Sequence, residues 1–336
     1  MKKTILICLP VILLLAGLAR ADAPPAYRER VTTPHWNWVD RHAGGTVRAL
    51  CITSFLGTRE PEELAQRFDI EVEVVPVQAN PSGLPRSYDE EYLKEALERD
   101  PDVILVPYRG AWGKLSDDAK TALETAISGG TPLIALSPGG VPKSWRTQPS
   151  EELVRDGQRE AERDLPAGRL TFPWGRDDGG LRLQVYEMGK GRFVSVPMGH
   201  GRGRGFNSLI PTDEDPPVLP ARYETAYAVF GRLIRWSAGK QSDQRCSLHL
   251  ASEPRAGGTL DVRAVFDPPA EAPLTVEWEL RSSFGERLKT GEQEVAEGEE
   301  ALAWPVPLRR GGELTLLYRA RRDGEVVDYG AVPMPV

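Results

Sequence analysis

The hydrophobic rhythm of the chain divides it in two. Between Thr46 and Gly239, short apolar runs alternate with helical patterns. Val47–Thr53 (VRALCIT), Ile70–Val77, Asp102–Pro107 (DVILVP) and Pro132–Leu136 are the apolar runs, and the unbroken DVILVP suits a strand buried on both faces. The intervening segments read as helices. Pro61–Phe68 follows Thr58, a capping residue type, and has acidic residues in its first turn. Tyr88–Arg99 places Tyr92, Leu93, Ala96 and Leu97 at helical spacing. Ser116–Ser128 starts with Ser116 and two Asp, lines up Ala119, Leu123, Ala126 and Ile127, and stops at Gly129-Gly130. This β-α-β-α-β-α-β order predicts a parallel sheet with helices on both faces.

Further along, a polar helix is expected around Glu151–Asp164. Leu181–Met188 and Arg192–Pro197 flank Gly189-Lys190-Gly191, a hairpin signal. Tyr223–Ala238 carries Tyr227, Phe230, Leu233, Ile234 and Trp236 on an amphipathic helix. After Gly239-Lys240-Gln241-Ser242 the period shortens to two. Seven runs follow: Ser247–Ala251, Thr259–Phe266, Leu274–Leu280, Glu286–Val295, Ala301–Leu308, Glu313–Arg321 and Val326–Val332. Short strands at this spacing predict a small all-β, immunoglobulin-like sandwich, without the Cys…Trp…Cys signature of antibody domains. The expected organisation is an N-terminal arm over 22–45, an α/β domain over 46–239, a linker over 240–245 and the sandwich over 246–336.

The start of the chain follows neither pattern. Lys2 and Lys3 precede an apolar run, Ile5–Leu18, and Ala19-Arg20-Ala21 fits an A-x-A cleavage site. Residues 1–21 therefore read as a secretory signal peptide. The run falls short of the about 18–20 residues that a span needs. Cys8 lies too early to be a lipoprotein cysteine. The expectation is an exported product, periplasmic or secreted, that spans no membrane after cleavage.

Composition narrows the functional classes. Hydrophobic residues make up 40% and charged residues 27%, the balance of a packed globular protein rather than a disordered or collagenous one. Lys and Arg number 42 against 49 Asp and Glu, a net charge of -7. Phosphate binding needs a positive field, so no nucleic-acid partner is expected. Cys51 and Cys246 remain after cleavage, too few and too far apart for a disulfide framework. Cys51, inside a predicted buried strand, reads as a small apolar residue. The imidazoles of His35, His42, His200 and His249 show no metal-ligand spacing, so neither metal nor cofactor is expected.

Four stretches carry a family resemblance: the lead-in Thr33-Pro34-His35-Trp36, Leu115–Pro138 with its strand PLIALSP, Gly189–His200 (GKGRFVSVPMGH), and Tyr223–Gly239 ending LIRWSAG. Over residues 33–239 the chain resembles the class I glutamine amidotransferase-like superfamily, and within it the ThuA-like (trehalose-utilisation) domains of exported bacterial proteins. The resemblance implies a flavodoxin-like, doubly wound, mostly parallel sheet. It also implies a nucleophile on the turn after a strand, activated by a His that a Glu orients. Three positions depart from that pattern. Ser137 stands where the family has Cys. Pro138 follows it and has no N–H to offer an oxyanion. The His-x-Glu pattern becomes His200-Gly201-Arg202. Removing one oxyanion donor alone costs about 2.7–4 kcal/mol of transition-state stabilisation. Glutaminase chemistry is therefore not expected.

Ser137 and His200 remain the candidate catalytic pair. Ser137 also reads as a turn residue before Pro-Gly-Gly, and His200 as a loop residue at the strand-end rim where doubly wound sheets place ligands. Arg202 and Arg204, in the Gly-rich segment 199–205, are candidate anion contacts. Tyr108 and Arg109, which follow the third strand, are candidate ligand contacts. His35 and Trp36, with Trp38 and His42, form an aromatic-basic cluster that either stacks on a sugar ring or packs the arm onto the domain. Trp112, Trp145 and Trp174 pose the same choice near strand ends. The leading expectation is a non-catalytic binding or assembly protein with a carbohydrate ligand or a protein partner. The alternatives are a ThuA-like enzyme acting on a sugar or oxidised sugar, with His200 as acid or base, and a structural envelope module that binds another protein.

Overall fold

The computed structural model describes residues 35–53, 59–77, 90–107, 110–136, 143–145, 148–164, 183–196 and 220–336, all within one compact unit, His35–Val336. The α/β part opens with β1 (Val47–Thr53), α1 (Arg59–Arg67), β2 (Ile70–Pro76), α2 (Glu90–Glu98), β3 (Val103–Val106), α3 (Asp117–Gly129) and β4 (Leu133–Ala135). It continues with α4 (Glu151–Glu162), the hairpin β5 (Gln184–Met188) and β6 (Gly191–Ser195), and α5 (Pro220–Ala238). The six strands form one sheet in the order β2-β1-β3-β4-β6-β5. All neighbours are parallel except β5, which runs antiparallel to β6 at the edge.

Local chemistry explains these boundaries. Ser116 caps α3 by accepting the Ala119 N–H at 3.1 Å, and Gly130 ends it at φ 134°, which a side chain would oppose. Two cores sandwich the sheet. Cys51, Leu105, Ile134 and Val194 face α1, α4 and α5, whereas Leu50, Ile104, Leu133 and Phe193 face α2 and α3. That alternation is what a strand with both faces buried requires. α4 is polar in sequence, yet it packs against α5 through Gly157. A β-carbon there would meet the Trp236 ring at 3.1 Å. Trp236 donates its Nε1–H to Asp156 at 2.8 Å.

The β-rich part has two antiparallel sheets. One is β10 (Arg287–Val295), β9 (Leu274–Ser282), β12 (Glu313–Arg322) and β13 (Glu325–Pro335), in that order. The other is β11 (Ala301–Pro307), β8 (Thr259–Asp267) and β7 (Arg245–Leu250). All seven expected strands are present, and their inward residues share a third core that includes Val262, Trp278, Leu316 and Trp304. Cys51 and Cys246 lie in different cores and are not joined. No helix among the described residues is long and apolar enough to cross a membrane.

The two parts are welded rather than tethered. Leu317, Val326, Tyr329 and Ala331 of β12 and β13 belong to the same core as α1 and α5. A buried polar network sits behind them. Arg232 of α5 pairs with Asp164 and also donates to the Tyr329 carbonyl. The Tyr318 hydroxyl lies 2.8 Å from Asp164 and 2.7 Å from the Cys246 carbonyl. Asp328 accepts from Arg163 and from the Cys246 N–H. Gly330 must be glycine, because a β-carbon would collide with both the Asp164 carboxylate and the Arg232 guanidinium. Residues 240–245, expected as a linker, are held down as well. Lys240 bonds the Thr46 carbonyl at 2.6 Å and Asp102 at 2.7 Å.

Residues 36–43 lie between the two parts as a strap. Trp38 and Val39 donate their N–H groups to the Arg67 carbonyl, and the Ala43 N–H bonds Val326. Asp40 pairs with Arg321 and Arg41 with Glu325. His42 is buried, and its Nδ1 accepts the Gly44 N–H at 2.9 Å. Desolvation, reinforced by the nearby Arg235 charge, pushes its pKa down to about 3.

Asp164→Ala would leave the Arg232 guanidinium buried without its counter-charge. The expected loss is about 3–5 kcal/mol in urea unfolding, with both parts still melting in one transition; two separated transitions would contradict the weld. The His42 pKa sets a pH dependence. It is depressed in the fold, so its stabilisation is complete above the unfolded value of 6.5 and falls away as pH drops toward about 3. The difference in unfolding free energy between wild type and His42→Gln should therefore shrink steadily from pH 7 to pH 4. A difference that stays constant across that range would refute the neutral buried imidazole.

Candidate functional site

In an open α/β sheet, ligands bind outside the carboxyl ends of the strands, where the strand order reverses. Here the chain steps from β1 outward to β2, then crosses to β3 on the other side, so the reversal lies between β1 and β3. A small pocket opens at that point. Cys51 of β1, Leu105 of β3 and Ile134 of β4 form its walls, together with Pro107 and Leu136 just past their strands. Leu64 and Pro61 of α1 and Phe230 of α5 cover it. Every lining residue except Cys51 is a hydrocarbon or proline, so the described floor offers an apolar surface and no acid–base pair.

Two hydroxyls stand at this edge. Thr53 Oγ1, two residues beyond Cys51, and Ser195 Oγ at the end of β6 are buried and make no hydrogen bond among the described residues. A buried hydroxyl without a partner costs free energy unless water or a ligand satisfies it. A turn of the β-rich part reaches the same edge. The Ala221 N–H in the first turn of α5 bonds the Ser283 carbonyl at 3.2 Å. Phe284, next in that β9–β10 turn, is 77% exposed. Nearby, the Arg281 guanidinium lies 4.9 Å from the centre of the Trp36 ring.

The aromatic candidates of the arm turn inward. Trp36 is 7% exposed, its ring edge-on to Trp38 at 5.6 Å and covered by Arg281. Trp38 is buried and donates to Glu224 at 3.2 Å. Glu224 in turn holds Arg67, whose guanidinium sits 4.2 Å from the Tyr227 ring. His35 is half-buried. Trp112 and Trp145 pack edge to face at 4.6 Å in the core on the α3 side. Ser137, His200, Arg202, Arg204, Tyr108 and Arg109 lie outside the described residues, as do Pro138 and Trp174. The residues that sequence reasoning passed over are the pocket walls, Thr53, Ser195 and Phe284. A hydroxyl closing the apolar run Ala49–Ile52 was the available signal for Thr53. Phe284 in a Ser-Ser-Phe-Gly turn was the other.

No family model matches the chain, and no curated protein matches it. Some solved structures are partly similar. A putative β-galactosidase from Bacteroides fragilis matches at 15% identity and TM-score 0.22, over 26% of this chain and 16% of its own. A superoxide reductase (neelaredoxin) from Ignicoccus hospitalis matches at 12% identity and TM-score 0.22, over 27% of this chain and 79% of its own. A β-glucuronidase from Bacteroides uniformis matches at 15% identity and TM-score 0.21, over 27% of this chain and 13% of its own. The chain thus spans only a small share of the two glycosidases. At these TM-scores the likenesses carry no argument about its fold or function.

Proposed function

We propose that this chain is an exported, non-catalytic binding protein that takes a carbohydrate-class ligand at the carboxyl edge of its parallel sheet. The observation that carries the reading is the apolar recess at the β1/β3 reversal, about 10 Å³, which a ligand lying across the edge would cover rather than enter, with the Thr53 hydroxyl, unpartnered among the described residues, on the same strand as Cys51. Most ligand sites combine an apolar surface with a few placed polar groups, and a sugar's C–H face and hydroxyls match that mixture. The exposed Phe284 ring beside the first turn of α5 adds a stacking face at the same edge.

The strand order β2-β1-β3-β4-β6-β5 supports a flavodoxin-like sheet of the ThuA-like, amidotransferase-related type. The three- and four-stranded sheets support an immunoglobulin-like sandwich. Ser137 in place of Cys, Pro138 after it and Arg202 in place of Glu support binding over glutamine hydrolysis. The signal-like first 21 residues support export.

The test uses the chain from residue 22 onward, with Trp fluorescence and thermal shift against a panel of mono- and oligosaccharides. A ligand of the native state raises the melting temperature. The expected result is a saturable shift with one sugar class, weakened at least tenfold in affinity by Leu136→Trp, which fills the pocket, and by Phe284→Ala. No shift across the panel would overturn the carbohydrate assignment and favour a protein partner. Ammonia release from glutamine, or sugar turnover that His200→Ala abolishes, would overturn the non-catalytic one.

A further inference from the structure

The two sheets of the β-rich part have four edges, and three of them are closed. β13 takes the strap along its outer side, where the Ala43 N–H bonds the Val326 carbonyl and the Val326 N–H bonds the Arg41 carbonyl. β7 gives its Cys246 and Leu248 N–H groups to Asp328 and Asp164. β11 contains Pro305 and Pro307, which have no N–H to offer a further strand. β10 is the exception. It runs for nine residues, Arg287–Val295, and pairs only with β9. Among the described residues, nothing bonds the backbone groups on its far side. Such an edge is a template for another strand.

The sequence of β10 specifies which strand fits. Arg287 lies opposite Arg281 and Lys289 opposite Leu280, so Leu288 is the extra residue of a bulge. Arg287, Thr290, Glu292 and Glu294 therefore share the outer face, across from Arg281, Glu279, Glu277 and Thr275, and all four are exposed. Lys289, Gly291 and Gln293 lie on the other face, across from Leu280, Trp278 and Val276. The basic residues precede Gly291 and the acidic ones follow it.

Edge charges normally keep strands apart. Turned about a two-fold axis at Gly291, these charges become complementary. Arg287 of each copy then faces Glu294 of the other, Thr290 faces Glu292, Lys289 faces Gln293, and Gly291 faces itself. No like charges oppose in this register. A slip of two residues one way sets Glu292 against Glu292, and the other way carries Glu294 past Arg287. A slip of one residue exchanges the two faces. Gly291 suits the axis, because it presents no side chain there. A β-carbon would collide with the Trp278 ring, which packs over the bare backbone.

We propose that β10 pairs with β10 of a second copy, antiparallel about Gly291, and joins the two four-stranded sheets into one continuous sheet. Nine residues a side make a small interface, in the class below about 1,200 Å² that forms weak, reversible complexes. The expected dissociation constant is about 10–100 µM. The pairing needs no ligand at the carboxyl edge, so it and the carbohydrate reading stand or fall separately.

The experiment is sedimentation velocity on the chain from residue 22 onward, from about 1 to about 300 µM. Wild type should pass from monomer to dimer across this range, and less completely at high salt. Arg287→Glu and Glu294→Arg each set like charges against each other in both pairs, and each should weaken the dimer about tenfold. An equimolar mixture of the two variants brings only Glu from one copy and only Arg from the other, so it should dimerise about as tightly as wild type. Both positions are exposed, and each variant should keep the wild-type melting temperature. A second readout needs no variant: amide hydrogen exchange over residues 287–295 should slow in concentrated wild type relative to dilute. Wild type that stays monomeric throughout overturns the proposal. So does a dimer that both variants leave intact, a mixture that remains monomeric, or a dimer whose added protection falls outside β10.

Discussion

The contact between Asp164 and Arg232 holds this molecule to a single arrangement. Both side chains come from the α/β part, but their remaining partners come from the β-rich part: the Leu248 N–H, the Tyr318 hydroxyl and the Tyr329 carbonyl. Only one docking of the sheets on α5 satisfies all of them. A buried ion pair adds little net stability compared with a well-packed apolar substitute. Its value lies in the severity of the alternatives, since a shift of one residue along β13 would strand charges in a dry interior. Gly330 enforces the same register sterically, because no other residue lets the pair approach the strand.

That fixed docking shapes the carboxyl edge. The middle of α5 brings Phe230 over the pocket, and its last turns bring Arg235 to the backbone of Gly45 and Asp69. With α5 pinned along its length, the β9–β10 turn can only lie beside the helix start. The site edge is therefore assembled from both parts of the chain, although the strands that floor it belong to one.

Local signals in the sequence located the elements well. Val47–Thr53 is a strand over that very span, Ser116 caps its helix as its spacing implied, and Gly189-Lys190-Gly191 turns the hairpin. Periodicity and caps report on neighbours along the chain. The strap was not legible for the complementary reason. Trp36, Trp38 and His42 look like a ligand-facing cluster until Glu224, Arg281 and Tyr329 are brought to them from far along the sequence. The same holds for residues 240–245, whose composition suggests a tether and whose partners, Thr46, Asp102 and Pro268, make an anchorage. In the pocket, each wall residue looks like ordinary core, and only the strand order makes their meeting point a site.

The weld also dictates an order of events. The core between the sheet and α5 is completed by Leu317, Val326, Tyr329 and Ala331, which are synthesised well after the strands that begin it. Until β13 arrives, the α/β part lacks a wall of its own interior, and the strap lacks the Val326 backbone that holds its end. The molecule therefore cannot mature part by part as it emerges. Contacts of such long sequence separation make folding slow, and the chain stays extended and open longer than its strand-and-helix beginning would require.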